Sequence, residues 1–416
     1  MEVTSAGALL GLALSIILIL RKHNPAYSLM LGALFGGVIG GAGIAGTVAF
    51  MVAGAKAITP SVLRILTAGV LAGVLIETGA ARKIAQAIVK AVGENLALLA
   101  LALATLVLTA VGVFVDVAVI TVAPVALAVA RQANLTKLAI LCAMVGGGKA
   151  GNVISPNPNT IALSSAFKVP LLDLMLKNAL PAIVGLAVTY LLACRLRCQG
   201  DSVGEEEVPV TEEELPKLFG ALIGPLLTIA LLALRPLCKV EVDPLIALPA
   251  GGVFGCLIMG KMNKLDEYVT FGLGKMSSVA ILLVGTGTIA GVIQNSALKS
   301  LLIGLLKQSG LPPYVLAPTS GALMSAATAS TTAGSIVASA TFSSAIVALG
   351  VKAICAAAMM HAGATVLDHL PHGSFFHATG GAIGMSLENR LRLLPYETLI
   401  GLALAIVSTV QHGVLN

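Results

Sequence analysis

GNVISPNPNT (Gly151–Thr160) and TVLDHLPHGS (Thr365–Ser374) are polar, proline-interrupted stretches set in a very apolar chain. Pro371 lies 215 residues after Pro156, and a second echo, AGVLIETGA from Ala72 and AGVIQNSAL from Ala290, recurs at an offset of 218. Two nearly equal offsets, joined by similar hydropathy in between, indicate an internal duplication. A hydrophobic segment broken at corresponding places in both halves is a sequence pointer to the binding site of a membrane carrier. The two stretches therefore read as one site built twice.

Composition supports this. The 416 residues are 57% hydrophobic and 11% charged, with 45 Gly and no Trp, and the mean hydropathy is +0.99. An ordinary soluble domain carries roughly 25% charged residues, and this chain has too few polar side chains to cover a water-exposed surface. The first apolar run, Ala6–Leu20, follows an acidic start and meets Arg21-Lys22-His23 without a small-residue cleavage site, so it reads as a retained membrane helix rather than a signal peptide. The net charge of +6 is spread over short connections such as Arg82-Lys83, Arg195/Arg197 and Arg390/Arg392. That distribution suits membrane-flanking anchors and argues against a nucleic-acid surface. The six cysteines contain no CxxC pair and read as apolar filler.

One hydrophilic break, Arg195–Lys217 with its glutamate triplets at Glu205–Glu207 and Glu212–Glu214, divides the chain into a first membrane repeat (1–194), a linker (195–217) and a second repeat (218–416). Spans of about 20 apolar residues fall at Ala6–Leu20, Tyr27–Ala53, Leu96–Phe114, Leu171–Cys194, Leu218–Leu234, Pro244–Gly260, Val279–Ile293 and Leu394–Val410. Shorter or broken stretches bring the expected crossings to ten to twelve. Gly32, Gly36 and Gly40 recur every four residues, a spacing for close helix packing. Gly79–Val92 and Ala297–Ser309 occupy matching places and carry Lys or Arg on one face, which predicts a pair of surface-lying amphipathic helices.

Ionisable groups within the hydrocarbon are costly and mark function. Asp116, flanked by apolar runs, is a candidate proton carrier or, alternatively, a helix cap. Lys149, within Gly146-Gly147-Gly148-Lys149-Ala150-Gly151, either approaches an anion from a flexible glycine turn or snorkels to water. Around Pro156 and Pro158, Asn152, Ser155, Asn157, Asn159 and Thr160 offer donors and acceptors where two prolines forbid a continuous helix. The second break collects His361, Asp368, His369, His372, Ser374 and His377, a pairing of carboxylate and imidazoles that suits proton coupling. His369, His372 and His377 match no usual metal spacing. Ser330, Thr331 and Thr332, in the hydroxyl-rich SAATASTTAGS, sit one repeat after the surroundings of Asp116 and suit polar-substrate or sodium ligation.

These residues carry a specific resemblance. AGVLIETGAARKIAQ from Ala72, VFVDVAVITVAPVALAVAR ending at Arg131, SPNPNT after Gly151, TASTTAGS from Thr328 and LDHLPHGS from Leu367 resemble the gluconate permease family of the ion-transporter superfamily. The resemblance implies an all-α polytopic membrane protein with two inverted repeats, re-entrant helical hairpins and elevator-like movement. It also implies a multi-pass homodimer of the inner membrane that imports a small hydroxy-carboxylate with protons and needs no cofactor. Membrane lipid is then its surroundings, and nucleic acid is not a partner. Asp116 stands where the family has an acidic residue after an aromatic one, and Asp368, Pro371 and His372 match its late Asp-x-Leu-Pro-His motif. The first break departs from the family, with Asn157 where many relatives carry a histidine between two prolines. Asn159-Thr160 resembles sodium-ligating pairs of dicarboxylate carriers, which keeps sodium as the alternative coupling ion. The substrate is expected between the breaks, on Asn152, Ser155, Asn157, Asn159, Thr160, Ser330, Thr331, Thr332, His372 and Ser374, with Asp116, Asp368 and His372 coupling the ion. A passive channel and a histidine-metal enzyme are the rival classes.

Overall fold

In a computed structural model of the chain, residues 2–93, 96–204, 214–238, 240, 242–298, 300–301, 304, 308 and 312–415 are described. The described residues are predominantly helical. The first half holds α1 (Ser5–Leu20), α2 (Pro25–Gly37), α3 (Gly43–Ala57), α4 (Thr59–Glu77), α5 (Ala80–Val92), α6 (Ala97–Ala110), α7 (Val115–Gln132), α8 (Lys137–Asn152), α9 (Pro158–Phe167), α10 (Leu171–Lys177) and α11 (Ala179–Arg195). The second holds α12 (Leu218–Cys238), α13 (Pro244–Ile258), α14 (Leu265–Gln294), α15 (Leu316–Thr328), α16 (Thr331–Ala348), α17 (Ala353–Ala364), α18 (Ser374–Gly381), α19 (Leu387–Arg392) and α20 (Leu394–Thr409). Local chemistry sets the boundaries. The Thr4 side chain accepts from Gly7 N at the start of α1, Asn24 and then Pro25 open α2, and left-handed glycines at Gly41 and Gly43 break α2 from α3.

The duplication is visible element by element. Moved on by 218 residues, α6 becomes 315–328 and α7 becomes 333–350, where α15 and α16 lie. Moved on by 215, α8, α9, α10 and α11 become 352–367, 373–382, 386–392 and 394–410, where α17 to α20 lie. Glycine crossings give the symmetry. Gly54 lies against the backbone at Gly287 and Gly291, and Gly272 against that at Gly69 and Gly73. Because 54, 69 and 73 are the repeat mates of 272, 287 and 291, each crossing is the image of the other, as a two-fold axis requires. The partner number falls as the residue number rises, so the mates run antiparallel and the repeats are inverted. Only glycine lets backbones approach so closely.

Two groups of helices result. One packs α1 on α2, α12 on α13, and α14 against α2, α3 and α4; the other packs α6, α8, α9 and α11 with α15, α16, α17 and α20. Every residue of α8 is buried, which places it at the centre of the second group. Gly32 and Gly36 of α2 meet Gly11 and Gly7 of α1, the close packing their spacing predicts. Six described helical segments are long and apolar enough to cross a membrane, α10 and α11 form a further pair bent by 43°, and five shorter apolar helices accompany them. The chain is thus a multi-pass membrane protein.

The structure differs from the hydropathy reading in places. The expected span Tyr27–Ala53 is two helices, because Gly41 and Gly43 turn the backbone left-handed. Val279–Ile293 is only the end of α14, whose earlier turns carry Asp266, Glu267 and Lys275 and so escape a hydropathy window. Gly146–Gly148 form no turn. They lie inside α8, where Gly147 meets the backbone of Ala102 in α6. Ala80–Val92 is a helix with Ala80, Ala81, Ile84 and Ala85 buried. Its predicted mate Ala297–Ser309 falls largely outside the described residues, as do the linker glutamates Glu205–Glu207 and Glu212–Glu213.

Candidate functional site

Four helix breaks meet at one cavity of about 310 Å³, lined by Phe114–Val117, Asn152, Asn159, Lys275, Ser278, Val279, Ala329–Thr332, Asp368, Ser374 and Phe375. Each break has a sequence cause. Between α6 and α7, Gly112 adopts φ +107°. At the equivalent place between α15 and α16, Ala329 adopts φ +46°, a left-handed conformation that costs an L-residue about 1 kcal/mol. Pro156 and Pro158 part α8 from α9, and Pro371 parts α17 from α18. Beyond each break a helix begins at the cavity. Asp116, Asn159, Thr331/Thr332 and Ser374 are first-turn residues of α7, α9, α16 and α18. Four helix N-termini, with their partial positive charge, thus face one space; Asn157 caps that of α9 at Thr160 N and Ser330 that of α16 at Ala333 N.

The first break is an amide network. Asn157 caps α9 by accepting from Thr160 N (3.0 Å) and Thr160 Oγ1 (3.1 Å), while its Nδ2 donates to Asn152 O (2.9 Å) and to Asn152 Oδ1. Asn159 Nδ2 also donates to Asn152 Oδ1 at 3.3 Å. These contacts turn Asn152 so that its Oδ1 is occupied within the protein and its Nδ2 is left to serve the cavity. Asn159 Oδ1 is buried without a partner, as is Ser155 Oγ.

The second break is charged and reaches across to the first half. Lys149 Nζ, with its side chain 1% exposed, donates to Asp368 Oδ1 (2.6 Å) and Thr365 O (2.7 Å), lies 2.9 Å from His369 Nδ1, and reaches Glu397 O at 3.4 Å. His369 Nε2 lies 3.1 Å from Leu394 O and 3.0 Å from Thr398 Oγ1, and its Nδ1 lies 3.1 Å from Asp368 Oδ1, so the ring ties the carboxylate to α20. Asp368 Oδ2 accepts from Thr331 Oγ1. A chain of contacts therefore runs from the buried ammonium through the carboxylate to a hydroxyl at the start of α16. Beneath it, Arg390 and Glu397 form a buried bidentate pair (2.7 and 3.2 Å). Arg390 also donates to Phe376 O and Thr379 Oγ1 and stacks 4.6 Å from the Phe376 ring, fastening α18 to α19 and α20.

Of the sequence-derived candidates, Asn152, Asn159, Ser330, Thr331, Thr332, Ser374, Asp116 and Asp368 line the cavity. Ser155, Asn157 and Thr160 lie behind it, buried. His372 is half-buried and outside the lining, with Nε2 unpartnered. Asp116 is the second residue of α7, after Phe114 at the N-cap position, and its carboxylate accepts from the backbone N–H groups of Asp116 and Val117, so it serves the helix start as well as lining the cavity. His361 is buried within α17, and His377 bonds Pro371 O at 2.9 Å. Sequence reasoning missed Lys275, Phe114, Phe375 and Ser278 as lining residues and Arg390 and Glu397 beneath them; it singled out Lys149 and His369 but left both out of the substrate and ion sets. The available signal was a lysine inside a 30-residue helix and a glutamate in an apolar run, both costly at membrane depth.

Comparison with known proteins places this geometry in context. The profile of the GntP family of permeases matches residues 4–414. A Haemophilus influenzae protein described as an uncharacterised transporter is 57% identical over 415 residues, covering 100% of this chain and 99% of that protein. The Gnt-II system L-idonate transporter of Escherichia coli is 21% identical over 291 residues, 64% of this chain and 66% of its own. The fold resembles the crystal structure of the YdaH transporter of Alcanivorax borkumensis, with a TM-score of 0.69 at 14% identity and 98% of each chain covered.

Proposed function

This chain belongs to the GntP family of permeases, and from that premise we propose that it is a secondary active transporter that imports a small hydroxy-carboxylate, such as gluconate or a related sugar acid, together with protons. The carrying observation is the convergence of four helix N-termini on one cavity. Oriented N–H groups and partial positive charge favour an anion, and the amides and hydroxyls of Asn152, Asn159, Ser330, Thr331, Thr332 and Ser374 match a polyhydroxy acid. A relative named for L-idonate, itself a sugar acid, supports that substrate class.

The formal charges at the site support proton coupling. Asp116 and Asp368 stand against Lys149 and Lys275, so the formal charges of these four side chains balance. A monocarboxylate adds one negative charge, and one proton restores neutrality before the charge crosses an apolar environment. Asp368 is held by Lys149, whereas Asp116 makes no salt bridge among the described residues and feels Lys275 only at a distance. The proton is accordingly assigned to Asp116. Lys275 offers the ammonium for the substrate carboxylate, and His372 stands by as a further titratable group. The cavity lies between α14 of one helix group and the breaks of the other, an arrangement suited to elevator-like movement of the second group in an inner-membrane homodimer.

The test is uptake of gluconate and L-idonate into proteoliposomes. An inward proton gradient should drive accumulation, a protonophore should abolish it, and Asp116→Asn should bind substrate yet lose gradient-driven accumulation. Sodium-driven uptake that survives the protonophore would refute proton coupling, and uptake that never exceeds equilibrium would identify a channel or uniporter instead.

A further inference from the structure

Lys149 occupies a place that the chemistry of carriers reserves for a metal cation. Its ammonium lies at the carboxyl end of α17, beside Thr365 O (2.7 Å), Asp368 Oδ1 (2.6 Å) and His369 Nδ1 (2.9 Å), with Glu397 O of the first turn of α20 at 3.4 Å. Carbonyls at a helix break together with a carboxylate are the ligand set by which discontinuous helices hold sodium near the membrane midplane. The three oxygens are hard donors, Thr365 O lies at the negative pole of α17, and His369 Nδ1 is the nitrogen beside them. The ammonium is buried, with the Lys149 side chain 1% exposed, and Asp368, 5% exposed, lies between it and the cavity. The cage is made by the second repeat, and the cation is delivered by the first, across α8. At the repeat-related positions, Ala364 replaces Lys149 and Val153 replaces Asp368, so the arrangement is not a by-product of the duplication.

We infer that Lys149 is a tethered cation that takes the place of a coupling sodium ion and makes the transporter independent of sodium. The charge it supplies is needed locally. It holds Asp368, whose other oxygen accepts from Thr331 Oγ1 and so sets the hydroxyl that opens α16 at the cavity. In a sodium-coupled relative of this geometry the ion would perform that task and leave after each cycle. Here the cation is covalent and cannot leave, so the ion that drives transport must act elsewhere, at the cavity itself. Lys149 is a positioning residue in this scheme, acting on substrate through Asp368 and Thr331.

The inference rests on reading the chain as an ion-coupled carrier, but its test needs no substrate, so a wrong substrate class leaves the result intact and a wrong cage leaves the substrate class intact. Thermal unfolding of the purified full chain is followed in sodium chloride and in choline chloride at equal ionic strength. The wild type should melt at the same temperature in both. Lys149→Ala, which empties the cage, should melt lower in choline and gain about 3 °C or more as sodium saturates the vacated oxygens. Adding Asp368→Asn should remove that response. Lys149→Ser, which keeps a small polar group, serves if the alanine variant does not accumulate. Saturable stabilisation of the wild type by sodium would overturn the inference on its own, whether or not either variant folds. A folded Lys149 variant indifferent to sodium would overturn it as well.

Discussion

At the scale of single residues, Asn157 and Lys149 show how a side chain can serve a site without lining it. Asn157 stands in the first break between two prolines, and the sequence suggests a group that touches substrate. In the structure its carbonyl oxygen caps α9 and its amide turns Asn152 toward the cavity. Removing an N-cap costs about 1 kcal/mol, and freeing Asn152 weakens a ligand-facing amide. Asn157→Ala should therefore lower the melting temperature and raise KM severalfold while uptake remains driven by the proton gradient. Unchanged KM with lost coupling would contradict this assignment. Asn157 was legible as important because polar residues between prolines cannot sit in lipid. Its action through Asn152 was not, since that depends on a side chain five positions away across a broken helix. Lys149 was equally visible as a buried charge, but its partners Asp368 and Glu397 lie more than two hundred residues on.

At the scale of elements, the crossings of α3 and α4 over α14 hold the inverted repeats together. A side chain at Gly272 would meet the backbone of Gly69 and Gly73, and one at Gly54 would meet that of Gly287 and Gly291. Overpacking of such contacts costs about 1–3 kcal/mol or more, and the two positions are images of each other. Gly54→Leu and Gly272→Leu should each lower the melting temperature of the purified protein by similar amounts. A Gly272→Leu protein that melts like the wild type would remove this crossing from the account of the fold. Helix existence was readable from apolar runs, caps and prolines. Lengths were harder, because α14 carries Lys275 through the apolar belt, and hydropathy alone ends a helix where a charge begins.

At the scale of the whole molecule, the two-fold relation pairs the cavity at Lys275, Ser278 and Val279 with a second one of about 440 Å³ whose lining includes the mates Ala57, Pro60 and Ser61. There Arg64 joins Asp243 (2.6 Å) at the start of α13 to Ser165 of α9 (3.2 Å), bridging the two helix groups. The hydrogen bond from Arg64 holds the Asp243 carboxyl below the ordinary carboxylate range, so the pair persists at neutral pH and loosens only as pH falls through that lowered value. Inverted repeats place mates on opposite sides of the membrane. With the native cysteines replaced, Pro60→Cys and Ser278→Cys, at exposed and repeat-related positions, should react with an impermeant maleimide from opposite faces in oriented vesicles, and labelling of both from one face would refute the inversion. The sequence by itself determined a duplicated, many-helix membrane protein with polar breaks at matching places, because hydropathy and proline chemistry act locally along the chain. Only the tertiary structure decided that four breaks share one cavity, that Lys275 lines it, and that Lys149 of one repeat fills a cage made by the other. Those outcomes depend on backbones brought together by glycine crossings, and the pairing of distant charges follows from that packing rather than from any spacing in the sequence.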